Sequence, residues 1–404
     1  MAFNLRKGPT KKQLLPDYTY PNAIRLVHSG SDYFNQMKLM IRDAKQIIHL
    51  HVYIFESDET GIGIAEELIN AASRGVKVYL LVDGYASQSL SKEFISKIKD
   101  AGINFNFFDP ILKSKNFYFG RRLHQKVFVV DDYCSMVGGI NITNRYNDMP
   151  DKQAWLDFAL YCEGPISMKL SNNCWQTWNG FLKNIKPYHG FEIVENLRTD
   201  FKDVQIRMCV NDWVRGKVQI SKSYVRILTY SNEKVILLSS YFLPGSIIRK
   251  SIKKAIKRGV VIKIIMTGKS DVGISKRAER YMYDWLLRNK IQIYEYQKEV
   301  LHGKISVGDK KFVTVGSYNV NDISALASME LNLDVSNDKF GNHVDEVLEK
   351  IISSDCINVT EAIVLKHKSM FHQFRLWLAY FSVRVLILLF TFYFRKTEST
   401  QKEK

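Results

Sequence analysis

The feature that most constrains this chain is an internal duplication. The stretch "GIGIAEELINAASRGVKVYLLVDG" (61–84) has the pattern of an amphipathic helix, a turn at Arg74-Gly75 and a buried strand. The stretch "GSIIRKSIKKAIKRGVVIKIIMTG" (245–268) repeats that order, with Arg258-Gly259 at the turn. An apolar β-type run precedes each copy, "QIIHLHVYIFE" (46–56) and "KVILLSSYFLP" (234–244). A second helix and strand follow each, at 91–108 and 278–296. Two β-α-β-α-β copies predict an α/β protein of two similar lobes, each a mixed sheet flanked by helices. We place a tail at 1–20, the lobes at 21–185 and 186–360, and a separate carboxyl-terminal segment at 361–404. The stretch "NIKPYHGFEIVENLRTDFKDVQ" has no repeat partner and bridges the lobes.

Each copy ends in the same polar triplet. "LHQKVFVVDD" carries His124, Lys126 and Asp131, and "LHGKISVGDK" carries His302, Lys304 and Asp309. Read as strands, alternation puts each histidine and its lysine on one face, with the aspartate at the following turn. The chain then returns as "SMVGGIN" and "FVTVGSYN", placing Asn141 and Asn319 at the same offset from their histidines. Small residues stand just before each asparagine, Gly138-Gly139 and Gly316-Ser317, and allow backbone or ligand to come close. A single strand histidine or turn aspartate is ordinary structural furniture. Four residue types at matched offsets inside a larger repeat are a chemical signature.

That set suits phosphoryl transfer. A phosphodiester needs its non-bridging oxygens neutralised, a nucleophile in line and an acid at the leaving oxygen. Two lysines and two asparagine amides can hold the oxygens. One imidazole can attack phosphorus while the other protonates the departing alkoxide, through a covalent phosphohistidine. The sequence contains no HExxH and no P-loop, so we expect neither a metal nor another cofactor, the lysines supplying the positive charge.

These motifs resemble the phospholipase D superfamily, marked by a duplicated H-x-K-x4-D and a following G-[GS]-x-N. The match falls on His124, Lys126, Asp131 and Asn141 and on His302, Lys304, Asp309 and Asn319, and the likeness covers most of residues 21 to 340. The resemblance implies one active site where the two motifs meet. It implies His124 as nucleophile, His302 as general acid, and a catalytic set that counts Lys126, Lys304, Asp131 and Asp309 with them, the aspartates in a mainly structural part. It also implies a later carboxylate in each lobe that orients a histidine, for which Asp157 and Glu330 are the matching residues; as exposed surface acids they would have no such part. Within the superfamily, "YIFESDETGIGIAEELINAASRGVKVYLLVDG", "SYFLPGSIIRKSIKKAIKRGV" and "YEYQKEVLHGK" are similar to bacterial cardiolipin synthases. The implied reaction transfers a phosphatidyl group between two phosphatidylglycerol molecules and releases glycerol. Ile323 departs from the family's tendency to carry Arg at that position, and the apolar segment lies at the end of this chain instead of the start.

Composition matters at two points. Lys and Arg total 58 against 41 acids, a formal charge of +17, which favours anionic partners such as acidic phospholipid or nucleic acid. The run "LKSKNFYFGRRLH" sets Lys113, Lys115, Arg121 and Arg122 among Phe117, Tyr118 and Phe119 beside the first motif. That interleaving suits a surface of phosphates and acyl chains, and equally a solvated loop with an aromatic tucked into the core. The other point is the apolar run "LWLAYFSVRVLILLFTFYF" (376–394), close to the ~20 residues a helix needs to cross a bilayer. Arg384 near its middle costs about 2.5–3.5 kcal/mol on insertion, which keeps a shallow placement open. We read it as a membrane anchor; a core helix is the alternative. Five scattered cysteines without CxxC spacing and an amino terminus without an apolar h-region fit a reducing setting and no secretory signal.

The expected protein is thus an enzyme of the cell membrane, its lobes on the cytoplasmic side, acting on acidic phospholipid and needing no nucleic acid. Hydrolysis of the phosphohistidine, or transfer to another alcohol such as serine, uses the same residues. A nuclease is the rival from another class, and a non-enzymatic scaffold the least compatible with intact motifs.

Overall fold

A computed structural model describes residues 17–110, 121–181, 199–321, 324, 328–366, 369–371 and 373–385. In the first half, β1 (Thr19–His28) and α1 (Ser31–Asp43) lead into β2 (Ile47–Val52), α2 (Glu59–Ser73), β3 (Lys77–Asp83), α3 (Lys92–Asp100) and β4 (Asn104–Phe108). The short β5 (Arg122–Leu123) precedes β6 (Lys126–Val130), β7 (Cys134–Gly138), β8 (Phe158–Glu163) and α4 (Pro165–Trp178). The second half opens on a long strand, β9 (Phe201–Asp212), then β10 (Lys217–Val218), α5 (Gln219–Tyr230), β11 (Lys234–Ser239), α6 (Ser246–Lys257), β12 (Val261–Lys269), α7 (Gly273–Arg288) and β13 (Gln292–Val300). It continues with β14 (Lys304–Gly308), β15 (Phe312–Gly316), β16 (Ser328–Ser336), α8 (Asp338–Asp355), β17 (Cys356–Val359) and α9 (Glu361–Lys366).

The strands pair in the same way in both halves. β2, β3 and β4 run parallel, as do β11, β12 and β13, because each crossover carries a helix. The motif strands β6 and β14 then pair antiparallel with β2 and β11, and each returns through its neighbour, β7 or β15. β9 joins the halves: it pairs antiparallel with β1 on one side and with β16 on the other. Apolar side chains from strands of both halves share one core there, among them Ile24, Val127 and Leu160 with Ile236, Ile305 and Leu333.

The turns expected at Arg74-Gly75 and Arg258-Gly259 form as read, both glycines at φ +91, where a side chain would be strained. Each arginine has a second part that periodicity did not reveal. The Arg74 guanidinium donates to the Ile41 and Arg42 carbonyls at the end of α1, at 2.9 and 3.1 Å. Arg258 does the same at the end of α5, to Leu228 and Ser231 at 2.7 and 3.0 Å. A cation there satisfies orphan helix carbonyls and opposes the helix dipole.

One expectation is corrected. The motif strands begin at the lysines, so His124 and His302 lie just outside them, for reasons given below. At the carboxyl end, no helix among the described residues is long and apolar enough to cross a membrane. Residues 373–385 are helical; Leu376, Ala379 and Val383, spaced along one face, are buried, and Val383 joins the core built on α5, α6 and α7. Residues 386–394 of the apolar run lie outside the described residues, as do Lys113, Lys115, Phe117, Tyr118, Phe119 and Ile323.

Candidate active site

The site is assembled by two short parallel contacts between the halves. In one, Arg122 and Leu123 of β5 pair with Ser328 and Met329 of β16. One step further along both chains, His124 meets Glu330, with Nδ1 2.9 Å from Oε2. In the other, Leu156 and Leu301 form a parallel bridge, and the next residues, Asp157 and His302, meet with Nδ1 2.7 Å from Oδ2. Chains that run parallel keep facing residues in step, so each bridge delivers an imidazole to a carboxylate. The result is crossed: each half supplies the carboxylate for the other half's histidine. Both carboxylates are fully buried, which excludes the surface-acid alternative.

Each carboxylate is itself held. Phe158 N–H donates to Asp157 Oδ1 at 2.7 Å, and the Ser317 hydroxyl donates to Glu330 Oε2 at 2.5 Å. The small residues before the asparagines make this possible. A Cβ at Gly139 would stand 2.5 Å from the Asp157 carboxylate oxygens, and one at Gly138 or Gly316 would strike the backbone of β8 or β16. What comes close there is the orienting carboxylate and its strand. With Nδ1–H donated to a carboxylate, each ring presents Nε2 to a reacting atom.

Lys126 and Lys304 curl back instead of projecting from their strands. Lys126 Nζ donates to the His124 carbonyl at 2.6 Å, and Lys304 Nζ donates to the His302 carbonyl. This bond pulls the histidine backbone out of the ladder, which is why the strands start two residues late. Lys304 Nζ also lies 2.9 Å from His302 Nδ1, an atom that cannot serve both neighbours; the shorter contact to Asp157 takes its proton. Burial lowers Lys126 to about 7, with Lys304 adding repulsion, and lowers Lys304 to about 8. Burial also lowers both imidazoles. Lys126 and Lys304 push His124 further down, and Lys304 and Lys126 do so for His302, against the upward pull of the partner carboxylates. Four groups from two halves therefore share one electrostatic site. An entering anion would relieve its like-charge repulsion.

Asn141 and Asn319 are buried beside them. Ile54 N–H donates to Asn141 Oδ1 at 3.1 Å and the Ser240 hydroxyl to Asn319 Oδ1 at 2.7 Å, leaving the amide nitrogens as the donor ends. Asn141 Nδ2 spends one hydrogen on the Tyr146 hydroxyl at 3.0 Å. The motif aspartates do not join the site. Asp131 stands at the far end of β6 and accepts from the backbone N–H of Lys45, Gln46 and Ile47, each at 2.8 Å. Asp309 accepts from Asn232, Glu233 and Lys234 at 2.7, 3.0 and 3.0 Å. Their positive φ, 50 and 48, belongs to tight turns that aspartate tolerates. Counting them as catalytic is corrected: they fasten the start of β2 and β11 to the motif strand.

Motif reading missed several neighbours. Tyr53 packs its ring 4.8 Å from His124, with Lys126 Nζ 5.1 Å from the same ring. Tyr146 and Trp155 flank His302, at 5.2 and 6.3 Å between ring centroids. Tyr53 lies just past β2, and Tyr146 and Trp155 lie between β7 and β8, where no repeated offset marks them; of these neighbours only Ser317 falls inside a motif segment, the G-S-x-N. Arg121 and Arg122 are paired with acids: Arg121 with Asp212 at 2.8 Å, Arg122 with Asp83 and Asp109 at 3.6 and 3.8 Å. Among the described residues no cluster of three or more His, Cys, Asp or Glu is disposed to hold a metal ion.

The family model described as "Cardiolipin synthase, PLD-like domain" matches twice, over residues 37–156 and 224–352. The chain belongs to the cardiolipin synthase group of the phospholipase D superfamily. It is 32% identical over 358 residues to cardiolipin synthase B of Salmonella typhi, covering 85% of this chain and 84% of that one. It is 31% identical over 353 residues to cardiolipin synthase B of Escherichia coli K12, with the same coverage. In fold it is similar to the crystal structure of phosphatidylserine synthase from Haemophilus influenzae Rd KW20, with a TM-score of 0.65 over 90% of this chain and 95% of that one, at 13% identity.

Proposed function

We propose that this enzyme is a phosphatidyltransferase that moves a phosphatidyl group from one phosphatidylglycerol to a hydroxyl of a second, releasing glycerol and forming cardiolipin. The observation that carries the reading is the crossed pair of imidazole–carboxylate contacts around two buried lysines. Lys126, Lys304 and the Asn141 and Asn319 amides hold the non-bridging oxygens of the donor phosphate. His124 Nε2 attacks phosphorus in line, forming the N–P bond as the P–O bond to glycerol breaks. His302 gives its Nε2 proton to the departing alkoxide. The second phosphatidylglycerol then enters; His302 takes the proton of its hydroxyl, the new P–O bond forms, and His124 leaves phosphorus. Glu330 and Asp157 stabilise the imidazolium that each histidine becomes in turn. The lysines supply positive charge, so turnover in EDTA is expected to match turnover without it.

The assay is purified protein with phosphatidylglycerol vesicles and analysis of the lipids. Cardiolipin with stoichiometric glycerol is expected. Phosphatidic acid alone would mean a hydrolase; cleavage of DNA without lipid turnover would mean a nuclease.

The same reading includes architecture and place. The doubled family match supports two lobes over 21–185 and 186–360 around a pseudo-twofold axis. The segment 361–404 serves as the membrane contact, at the cell membrane with the lobes on the cytoplasmic side. Support comes from the helix at 373–385, whose Phe374, Trp377, Leu378 and Phe381 are exposed opposite the docked stripe, with Trp377 stacked on both phenylalanines at 5.8 and 5.4 Å. Because Leu376, Ala379 and Val383 are occupied in the protein core, this part of the segment lies along the bilayer surface with its aromatic face in the headgroup region. Flotation with anionic vesicles tests this; Trp377→Ser with Phe381→Ser is expected to weaken it.

A further inference from the structure

The mechanism above leaves one polar pair unused, on the His302 flank of the site. Ser240 hydrogen-bonds Asn319 Oδ1 and lies 3.2 Å from the His302 carbonyl oxygen, which fixes the next residue, Tyr241, at the rim. The Tyr241 hydroxyl donates to Asp271 Oδ1, on the loop between β12 and α7. Tyr241 is half-buried and Asp271 is exposed, so the pair stands between the site and solvent. Tyr241 is within electrostatic reach of Tyr146, the ring that packs on His302, and the Asp271 charge acts on Lys304 and Tyr146. On the same flank the buried Trp155 indole N–H has no hydrogen-bond partner among the described residues.

On the opposite flank, beside His124, Arg121 and Arg122 are already paired with acids, Arg121 with Asp212 and Arg122 with Asp83 and Asp109. A carboxylate repels phosphate, so Asp271, whose charge reaches Lys304 and whose Oδ1 is held by Tyr241, is poorly placed to bind that group. It is well placed to accept hydrogen bonds from a neutral polyol, whose adjacent hydroxyls can both donate to one carboxylate. The alcohol leaves, and its replacement arrives, at the histidine that handles the proton.

Resting on the function proposed above, we infer that Tyr241 and Asp271 form the alcohol subsite of this enzyme. Asp271 accepts from the glycerol hydroxyl that does not react, and this sets the neighbouring hydroxyl at His302 Nε2. The subsite thereby selects a vicinal diol over water and over alcohols with one hydroxyl. Tyr241 holds the carboxylate in position.

The test measures selectivity, using the full chain and phosphatidylglycerol vesicles. Two ratios are read: cardiolipin to phosphatidic acid, and phosphatidylglycerol to phosphatidylethanol when glycerol and ethanol compete for labelled donor. Losing hydrogen bonds to a charged acceptor is expected to lower both ratios about 10–100-fold in Asp271→Asn. Tyr241→Phe shifts them in the same direction by a smaller factor. Both ratios unchanged in both variants would overturn the subsite while leaving the phosphatidyltransferase reading intact. A wild-type enzyme that transfers to ethanol as readily as to glycerol would also overturn it. Wild-type protein that turns over no lipid would instead remove the function on which it rests.

Discussion

The two histidines sit in the same frame and in different company. Around His124 and around His302 the frame repeats: a lysine on the histidine carbonyl, an asparagine amide, a carboxylate from across the seam, an aspartate tying down the neighbouring strand. The company differs. Register places Tyr53 and Ser240 at matching positions, since His51 faces Val127 and Leu238 faces Ile305. Tyr53 lays a ring on His124, whereas Ser240 spends its hydroxyl on Asn319 and leaves His302 to Tyr146 and Trp155. The short Asp157 is accommodated by Gly139, and the longer Glu330 is held by the Ser317 hydroxyl. A duplicated frame can hold one phosphate symmetrically, while chemistry in two unlike steps asks for two unlike flanks.

The largest test of that contrast is removal of each imidazole. His124→Ala is expected to reduce lipid turnover to background and to leave no labelled protein after quenching with phosphate-labelled phosphatidylglycerol. His302→Ala loses about 10²–10⁴-fold in rate, the range for a lost general acid. It still forms an acid-labile, alkali-stable phosphoenzyme. A phosphoenzyme that vanishes only in the His302 variant would reverse the assignment.

Next come the crossed carboxylates. Glu330→Gln and Asp157→Asn are each expected to cost about 10²–10⁴-fold in kcat with little change in melting temperature, because an amide at Nδ1 disfavours the tautomer and cannot stabilise the imidazolium. Both act on the step that forms the phosphoenzyme, Glu330→Gln through the His124 nucleophile and Asp157→Asn through the His302 acid, so a donor whose leaving group needs no proton is expected to rescue Asp157→Asn alone. If each variant impaired the histidine of its own half, the crossing would be wrong.

A pH profile gives a smaller effect with a definite sign. Phosphate binding needs both ammonium groups charged, and burial has brought Lys126 to about 7 and Lys304 to about 8. kcat/KM therefore falls as pH rises through this range, by about tenfold per unit for each lysine lost, on top of a decline that begins lower, where His302, its pKa also depressed by burial, gives up its acid proton. His124 attacks as the neutral ring, and its pKa is depressed, so the acidic limb lies below 6.5. A profile flat to pH 9 would show the lysines charged throughout.

The motif aspartates should separate from all of these. Asp131→Ala and Asp309→Ala each strand three backbone amides, and are expected to lower stability by about 1–3 kcal/mol in urea unfolding. The smallest change is expected from Ser317→Ala, a several-fold loss of kcat without a counterpart at Asp157, whose carboxylate has no hydroxyl donor among the described residues.

Much of this protein was legible in the chain of letters. Helix and strand periodicity, the glycine turns at Gly75 and Gly259, and the two motifs at equal offsets are local signals, each written within a few residues of where it acts. They were enough to give the α/β class, the duplication, the reactive residue types and the family. Less legible was how a motif's members divide their labour. His124 and Asp131 look alike as motif members, yet one faces the site and the other three amides of a neighbouring strand.

Tertiary structure decided the rest, and the reason is distance along the chain. Glu330 meets His124 across 206 residues and Asp157 meets His302 across 145, through two-residue parallel contacts with no periodicity to announce them. The same holds for Ser240 on the His302 carbonyl, 62 residues away, and for the stripe of 373–385 buried on the second half. Local sequence records what each segment prefers to become. Which carboxylate reaches which imidazole depends on how whole sheets come together.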